Sequence, residues 1–251
     1  MATTRQHIRR VSIRNAPPGS SPERQSVVSD ERTLREERLL DVATALLVRW
    51  GYRKTTIDDV AREAGVGKGT IYLHWKDKNA LFRAAIWREQ QRYNEEVKRR
   101  IAADPDGGLL HRITAHGMLV ALTNPLMAAI FMGKTDIFNG FLETYDPGLL
   151  NQVVGDADTY FDQLQHAGLI RADIPASLIT YLLTALKVGI IHSSDIISQE
   201  HLPSAEQLTE VLSDLIRRWL EPEQLPDKSD VGKQLFTEYL DKVKESESWP
   251  Q

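Results

Sequence analysis

Residues 56–81 read TIDDVAREAGVGKGTIYLHWKDKNAL, a stretch with the pattern of two short helices joined by a tight turn and followed by a third helix. Thr56 stands three residues before Asp59, a spacing at which a hydroxyl and a carboxylate cap a helix start. Apolar residues follow at three- and four-residue steps, and Gly65 is the residue type that ends a helix in the left-handed conformation. The first helix is therefore predicted to begin near Ile57 and to be about two turns long.

The second short helix is predicted to separate apolar from polar side chains. Ile71 and Trp75 face inward, Val66 fills the corner, and the solvent side carries Lys68, Gly69, Thr70, Tyr72 and His74. Asp77 is the predicted cap of the third helix, with Lys78 in its first turn. A lysine there opposes the helix dipole, which favours anions at that end, so its presence indicates a nucleic-acid phosphate nearby. These residues predict a helix-turn-helix that binds DNA.

The longer run over residues 39–81 resembles the N-terminal domain of the TetR (tetracycline-repressor) family of transcriptional regulators. The resemblance rests on Gly51-Tyr52, Thr55-Thr56, Ala64-Gly65-Val66, Gly69-Thr70, Tyr72, Lys78 and Leu81. Gly67 stands where a serine is usual, and Leu47 and Trp75 stand where phenylalanines are usual. The resemblance implies an all-α protein with an N-terminal three-helix helix-turn-helix DNA-binding domain and a larger C-terminal helical domain for ligand binding and dimerisation.

The resemblance also implies which side chains meet DNA. A helix-turn-helix places the first turn of its second helix at base edges in the major groove, where Lys68 and Thr70 are the candidates beside Gly69. The phosphate contacts implied by the resemblance are Thr56, Tyr72, His74 and Lys78. Each has a plainer alternative, since Thr56 is a cap in any case, Tyr72 can be half-buried and His74 can be an ordinary surface side chain.

Composition agrees with a soluble DNA-binding protein. The chain has 251 residues, 41% hydrophobic and 26% charged, with no cysteine and no apolar run of the roughly 18 residues that a membrane span needs. Its net charge of -4 divides into +8 over residues 1–100 and -12 over residues 101–251. The basic half contains the predicted DNA-binding domain, although arginines of the N-terminal tail supply part of the excess. A cytoplasmic location is predicted.

Four segments are predicted along the chain. Residues 1–30, rich in Ser, Pro and Arg, form a disordered tail that is either simply solvated or a basic arm along DNA. Residues 31–79 form the DNA-binding domain, whose first helix starts at Thr33 and stops at Gly51. Residues 80–222 form the effector-binding and dimerisation domain, with helices over 80–103, 109–122, 125–138, 148–167, 175–197 and 204–220. Residues 223–251 form a last amphipathic helix, over 231–243, and a frayed end.

The resemblance implies that the C-terminal domain binds a small apolar effector and forms a homodimer through the helices near 175–197 and 204–220. Aromatic, sulfur-bearing and nearby polar side chains are the candidate pocket residues, although such residues are also ordinary core. They are His116, Met118, Asn124, Met127, Phe131, Asp136, Phe138, Phe141, Tyr160 and Phe161.

The function predicted from these observations is a DNA-binding transcriptional regulator, a ligand-responsive repressor that binds a palindromic operator as a dimer. The alternative is a ligand-independent DNA-binding regulator or a protein-partner module. An enzyme is not predicted, because the sequence has no glycine-rich phosphate loop, no nucleophile elbow and no His-Glu-x-x-His pattern. Neither a metal site nor a cofactor is predicted.

Overall fold

The computed structural model of the chain describes residues 22–131, 147–193, 196–224 and 227–246, and all regular elements in these ranges are helices. The α-helices are α1 (Pro22–Lys54), α2 (Ile57–Ala64), α3 (Lys68–Tyr72), α4 (Lys78–Ala103), α5 (Leu110–Thr123), α6 (Pro125–Phe131), α7 (Pro147–His166), α8 (Ala176–His192), α9 (Ala205–Leu220) and α10 (Ser229–Ser246). A short 3-10 turn covers Gln199–His201. The all-α prediction is confirmed.

The chain divides into two compact units, residues 1–38 and 39–251. In the first unit the helix α1 already begins at Pro22, within the range predicted as a disordered tail and before the predicted start at Thr33. The physical reason lies in the sequence, because proline suits the first helical position and no further proline or glycine follows before Gly51. The remainder of the predicted tail, residues 1–21, lies outside the described residues.

In the second unit most predicted helix boundaries lie within about two residues of the observed ones, but α8 ends at His192 and not at residue 197 as predicted. The backbone leaves the helical region at Gly51, with φ 75° and ψ 166°. Helices α2 and α4 start directly after the predicted caps Thr56 and Asp77. Residues 132–138, the end of the predicted sixth helix, lie outside the described residues. The predicted domain boundary at residues 79–80 lies inside this unit and stays a prediction.

Two main apolar cores hold the second unit together. The first joins α1, α2 and α3 to the start of α4 and to Ala121, Leu126, Met127 and Ala129 of α5 and α6. The second joins α5 and α7 to α8, α9 and α10, and a smaller cluster lies between α4 and α5. Helices α5 and α6 therefore pack on the core of the helix-turn-helix.

The last helix, α10, packs on α7 and α4. It crosses the chain just before α5 at a point where only glycine fits, because a Cβ on Gly108 would lie 1.7 Å from the Ser229 carbonyl oxygen and one on Gly232 would lie 2.0 Å from the Gly108 oxygen. The Ser229 hydroxyl also accepts the Gly108 N–H, and Lys98 of α4 pairs with Asp241 at 2.7 Å. The C-terminal helix is thus an integral part of this unit.

Candidate nucleic-acid interface

Two adjacent threonines organise the corner between α1 and α2. Thr55 is fully buried, and its hydroxyl donates to the Gly51 carbonyl oxygen at 2.9 Å, which satisfies the end of α1. Thr56 is exposed and caps α2, since its hydroxyl accepts the Asp59 N–H while the Asp59 carboxylate accepts the Thr56 N–H at 3.0 Å. The predicted capping role of Thr56 is confirmed.

The Asp59 carboxylate also accepts a hydrogen bond of 2.6 Å from the Thr56 hydroxyl. This bond uses the only hydrogen of that hydroxyl. These hydrogen bonds, with the hydroxyl of Thr56 first, hold the pKa of the Asp59 carboxyl below its ordinary value. For Thr56 to donate to a DNA phosphate, its hydroxyl must leave Asp59.

The turn between α2 and α3 depends on the left-handed backbone of Gly65, with φ 67° and ψ 35°. The next residue, Val66, donates its N–H to the Ala61 carbonyl oxygen at 3.0 Å and packs against the first core. This way of ending a helix needs a residue at positive φ, a conformation that glycine adopts without steric cost. The turn fixes the angle at which α3 leaves α2.

Helix α3 is five residues long and is anchored from one side. Ile71 is fully buried and Trp75, just beyond its end, is 8% exposed, as the sequence predicted. Gly67 is the N-cap and provides no side-chain cap, which agrees with its departure from the family pattern. The remaining face presents Lys68, Gly69, Thr70 and Tyr72 at exposed or half-exposed positions.

Lys68 forms an ion pair with Asp58 of α2, with its Nζ 3.0 and 3.1 Å from the two carboxylate oxygens. The hydrogen bond that Lys68 donates to Asp58, reinforced by the charge of that carboxylate, raises the pKa of Lys68 above its ordinary value. Both side chains are about half exposed or more, so the pair contributes little to stability. Its effect is to position the Lys68 ammonium at the first turn of α3.

Lys78 lies over the ring of Tyr52, with its Nζ 4.2 Å from the ring centroid. The Tyr52 hydroxyl donates to Asn79, and its ring meets Phe82 edge-on at 5.6 Å, so the aromatic platform is itself held in place. Partial burial lowers the pKa of Lys78 and, together with the nearby Asp77 carboxylate, raises that of Tyr52. The contact with the ring face holds the Lys78 ammonium in one orientation.

The other predicted DNA-contacting residues lie on the same part of the unit. Tyr72 is 49% exposed, and the ring of His74, half-buried, lies 5.2 Å from that of Trp75. The sequence did not predict a role at this surface for Asp58, Tyr52 or the 78%-exposed Leu73. A helical projection from Ile71 would have found Leu73, but no spacing rule connects Asp58 with Lys68 or Tyr52 with Lys78.

The candidate effector residues are distributed over separate parts of the fold. Met127 belongs to the first core, whereas Tyr160 and Phe161 belong to the second, where Tyr160 stacks on Tyr239 at 4.9 Å. His116 lies 2.8 Å from Asp104 at the joint between α4 and α5, and Met118 is buried on α5.

Of the remaining candidates, Asn124 caps the start of α6 and Phe131 is its last residue. Asp136, Phe138 and Phe141 lie outside the described residues. The effector pocket therefore stays a prediction.

The described residues lack both a metal-binding cluster and a membrane-spanning helix. They contain no group of three or more His, Cys, Asp or Glu side chains able to hold a metal ion. In the same ranges, no helix combines the length and the apolar character that crossing a membrane requires.

Two short helices at a fixed angle, a glycine turn and a projecting second helix define the class of helix-turn-helix DNA-binding proteins. The sequence model of the bacterial regulatory proteins of the tetR family matches residues 39–85, which cover α2, α3 and the start of α4. Over these residues the chain carries a DNA-binding domain of the tetR family.

Among curated relatives, the uncharacterised HTH-type transcriptional regulator YhgD of Bacillus subtilis is 48% identical over 48 residues, 19% of this chain and 25% of that protein. The chain thus spans only a quarter of that relative. The DNA-binding transcriptional repressor TetR of Mycobacteroides abscessus is 29% identical over 167 residues, 60% of this chain and 82% of that protein.

A similar solved structure is the triclosan complex of SmeT, the repressor of the Stenotrophomonas maltophilia multidrug efflux pump SmeDEF. Its TM-score is 0.56 at 17% sequence identity, over 77% of this chain and 99% of that one. At this identity the likeness concerns the fold, which extends well beyond the helix-turn-helix.

Proposed function

We propose that this protein is a ligand-responsive transcriptional repressor that binds a palindromic operator in double-stranded DNA as a homodimer in the cytoplasm. The observation that carries the proposal is the one-sided anchoring of α3, with Ile71 and Trp75 buried and Lys68, Thr70 and Tyr72 turned outward. A helix held this way enters the major groove with its first turn at base edges. Lys68 and Thr70 read bases beside Gly69, and Tyr72, His74 and Lys78 contact phosphates.

Dimerisation is supported by an apolar stripe on α8 and α9. Tyr181 is 68% exposed and Val211 65%, and the neighbouring Leu178, Leu182 and Leu215 are between 39% and 44% exposed. These residues recur at three- and four-residue steps, while Ile179 and Ile216 of the same helices are buried in the second core. Apolar side chains aligned in this way on two helices favour burial against a second copy of the chain.

Regulation by a ligand is supported by the link between α6 and α4. The side chain of Asn124 accepts the N–H groups of Leu126 and Met127 at the start of α6 and donates to Glu89 of α4 at 2.8 Å. Glu89 is only 6% exposed and also pairs with Arg88 and Arg92. An effector that displaces α6 would act on α4 through this link and change the distance between the two recognition helices of the dimer.

The test of DNA binding is selection of operators from random duplexes, followed by titration in fluorescence anisotropy. We expect a palindrome with two half-sites and affinity that falls steeply with salt. Thr70→Ala should change the preferred bases in each half-site. Equal loss on all sequences would remove Thr70 from base reading, and failure to select any operator would overturn the proposal.

The ligand-independent regulator is the second candidate, and thermal unfolding separates the two. We expect at least one member of a set of neutral and cationic apolar compounds to raise the melting temperature and weaken operator binding, because a ligand of the native state stabilises it by mass action. A protein without an effector site responds to none of them. The operator complex serves as the positive control for stabilisation.

A further inference from the structure

Leu73 is an exposed apolar side chain directly after α3, whose exposed and half-exposed side chains are those of Lys68, Thr70 and Tyr72. It is 78% exposed, and among the large apolar side chains of the described residues only Ile196 is more exposed. Its backbone remains helical, with φ -72° and ψ -20°, and its N–H donates to the Gly69 carbonyl oxygen at 3.1 Å. Leu73 therefore extends α3 by one residue and points in a defined direction.

That direction is away from the protein. At about 100° per residue, Leu73 lies about 200° around the helix from the buried Ile71, and Gly69 lies about 160° from it. Gly69 and Leu73, four residues apart, thus form the outermost strip of α3. Outside the adjoining residues and the backbone of α3 itself, no protein atom lies within 4 Å of the position that a Cβ on Gly69 would take, so the strip is open at both residues.

The chemistry around the strip limits what can cover it. The flanking positions carry the donors of Lys68, Thr70 and Tyr72, which suit a surface rich in hydrogen-bond acceptors. The major groove of DNA is such a surface, and its only apolar group is the C5-methyl of thymine. A leucine among donors on the outer face of a recognition helix matches this combination, whereas a protein partner would favour a wider apolar patch.

We propose that Leu73 contacts the C5-methyl group of a thymine in each half-site of the operator and so determines a T·A pair there. The inference rests on the proposed function. Gly69, without a side chain, lets the backbone of α3 come close enough for the leucine one turn later to reach the groove. Leu73 is then a specificity-determining residue next to Lys68 and Thr70.

The experiment replaces each thymine of the selected operator in turn by deoxyuridine, which pairs in the same way and lacks only the methyl group. Binding of the native protein, Leu73→Ala and Leu73→Met is measured by anisotropy at constant salt. We expect one thymine per half-site at which deoxyuridine weakens the native protein about fourfold, the factor for burying one methyl group. Leu73→Ala should lose about as much affinity for the thymine operator, and replacing that thymine by deoxyuridine should not weaken its binding further. Binding of Leu73→Met should still be weakened by the deoxyuridine.

Val231→Ala, a truncation at an exposed position of α10, is the matched control and should bind both operators as the native protein does. Melting temperatures show whether each variant is folded. If no deoxyuridine matters to the native protein, or if the same one matters equally to Leu73→Ala, the assignment is overturned while operator binding stands. If no operator is selected, the proposed function and this inference fail together.

Discussion

Lys78, which we propose contacts a DNA phosphate, is oriented by the residues around it. Its ammonium lies on the face of Tyr52, which is held by Asn79 and Phe82, and its partial burial lowers its pKa. A nearby phosphate would replace a weak aromatic contact by a charge-assisted hydrogen bond, so the lysine gains by binding DNA. Lys68 differs, because an existing partner, Asp58, must be shared or released.

Lys78→Ala should weaken binding to all DNA sequences alike, by about tenfold for each protomer, because a charged hydrogen bond to the backbone is lost. The slope of log K against log salt should fall by about 0.9 for each phosphate contact removed. Lys242→Ala on α10 makes the same change in net charge and should leave the slope unchanged. A change in base preference for Lys78→Ala would contradict a phosphate role.

Among the elements, α3 has glycines without side chains at its N-cap and in its first turn. Gly67 provides no side-chain cap and Gly69 weakens a helix of only five residues. An added Cβ at either position would nevertheless meet no protein atom within 4 Å beyond the neighbouring residues and the helix's own backbone. Neither glycine is therefore needed for packing within the described part of this chain. Close approach to DNA is the reason that we assign to Gly69.

Gly69→Ala tests that reason. The variant should be as stable as the native protein or more so by up to about 1 kcal/mol, because alanine is the better helix former. Operator affinity should nevertheless fall at least about tenfold, since a methyl group now separates the backbone from the groove. Urea unfolding and anisotropy give the two quantities, and Gly155→Ala on α7, where a Cβ also meets open space, is the control. Unchanged operator binding by Gly69→Ala would show that the glycine is dispensable.

The joint between α4 and α5 makes a second element-scale prediction. Burial raises the pKa of Asp104, but hydrogen bonds from His116 and Arg112 outweigh it and hold the pKa below its ordinary value. A carboxyl with a lowered pKa in the folded state stabilises that state above its unfolded pKa of about 3.9, and the stabilisation is lost as the pH falls through the folded pKa.

Asp104→Asn keeps the side-chain oxygen that accepts the Asp106 N–H and removes the charge. We expect a loss of about 1 kcal/mol in the free energy of unfolding at pH 7, constant down to about pH 5 and shrinking below about pH 4. Urea titrations followed by circular dichroism at fixed protein concentration measure it. A difference that persists undiminished at pH 2.5 would assign the loss to geometry rather than charge.

At the scale of the whole molecule, an apolar surface is left uncovered by the described part of the chain. The stripe on α8 and α9 is exposed, and in a homodimer it would become the centre of the interface. Two recognition helices at a fixed separation are also what a palindromic operator requires. Dimerisation and operator binding should therefore be lost together.

Tyr181→Arg should raise the dimer dissociation constant about 100-fold or more, because an unpaired charge would lie in an apolar interface. Sedimentation velocity over a range of concentrations measures the effect. Thr159→Arg adds the same charge at an exposed position of α7 and should leave the dimer intact. Full-length operators should bind Tyr181→Arg far more weakly, whereas single half-sites should be affected little.

Local order was predictable from the sequence because its causes act over three or four residues. Thr56 and Asp77 cap helices from the position beside them, Gly65 and Gly51 end helices by their own backbone, and the burial of Ile71 and Trp75 follows from helical periodicity. Proline and serine content predicted a tail up to residue 30, whereas helix-forming residues extend α1 back to Pro22. The helix-turn-helix and its outward face are thus determined by sequence alone.

Only the tertiary structure decided which side chains from distant parts of the chain meet. The two members of each pair lie on different parts of the fold, and their distances depend on how the helices pack. The pairs are Asp58 with Lys68, Tyr52 with Lys78, and Glu89 with Asn124. The exposure of Leu73 among donors and the close crossing of Gly108 with Gly232 have the same origin. Sequence determines which groups a helix carries, whereas packing between helices determines which groups meet and which remain free for DNA.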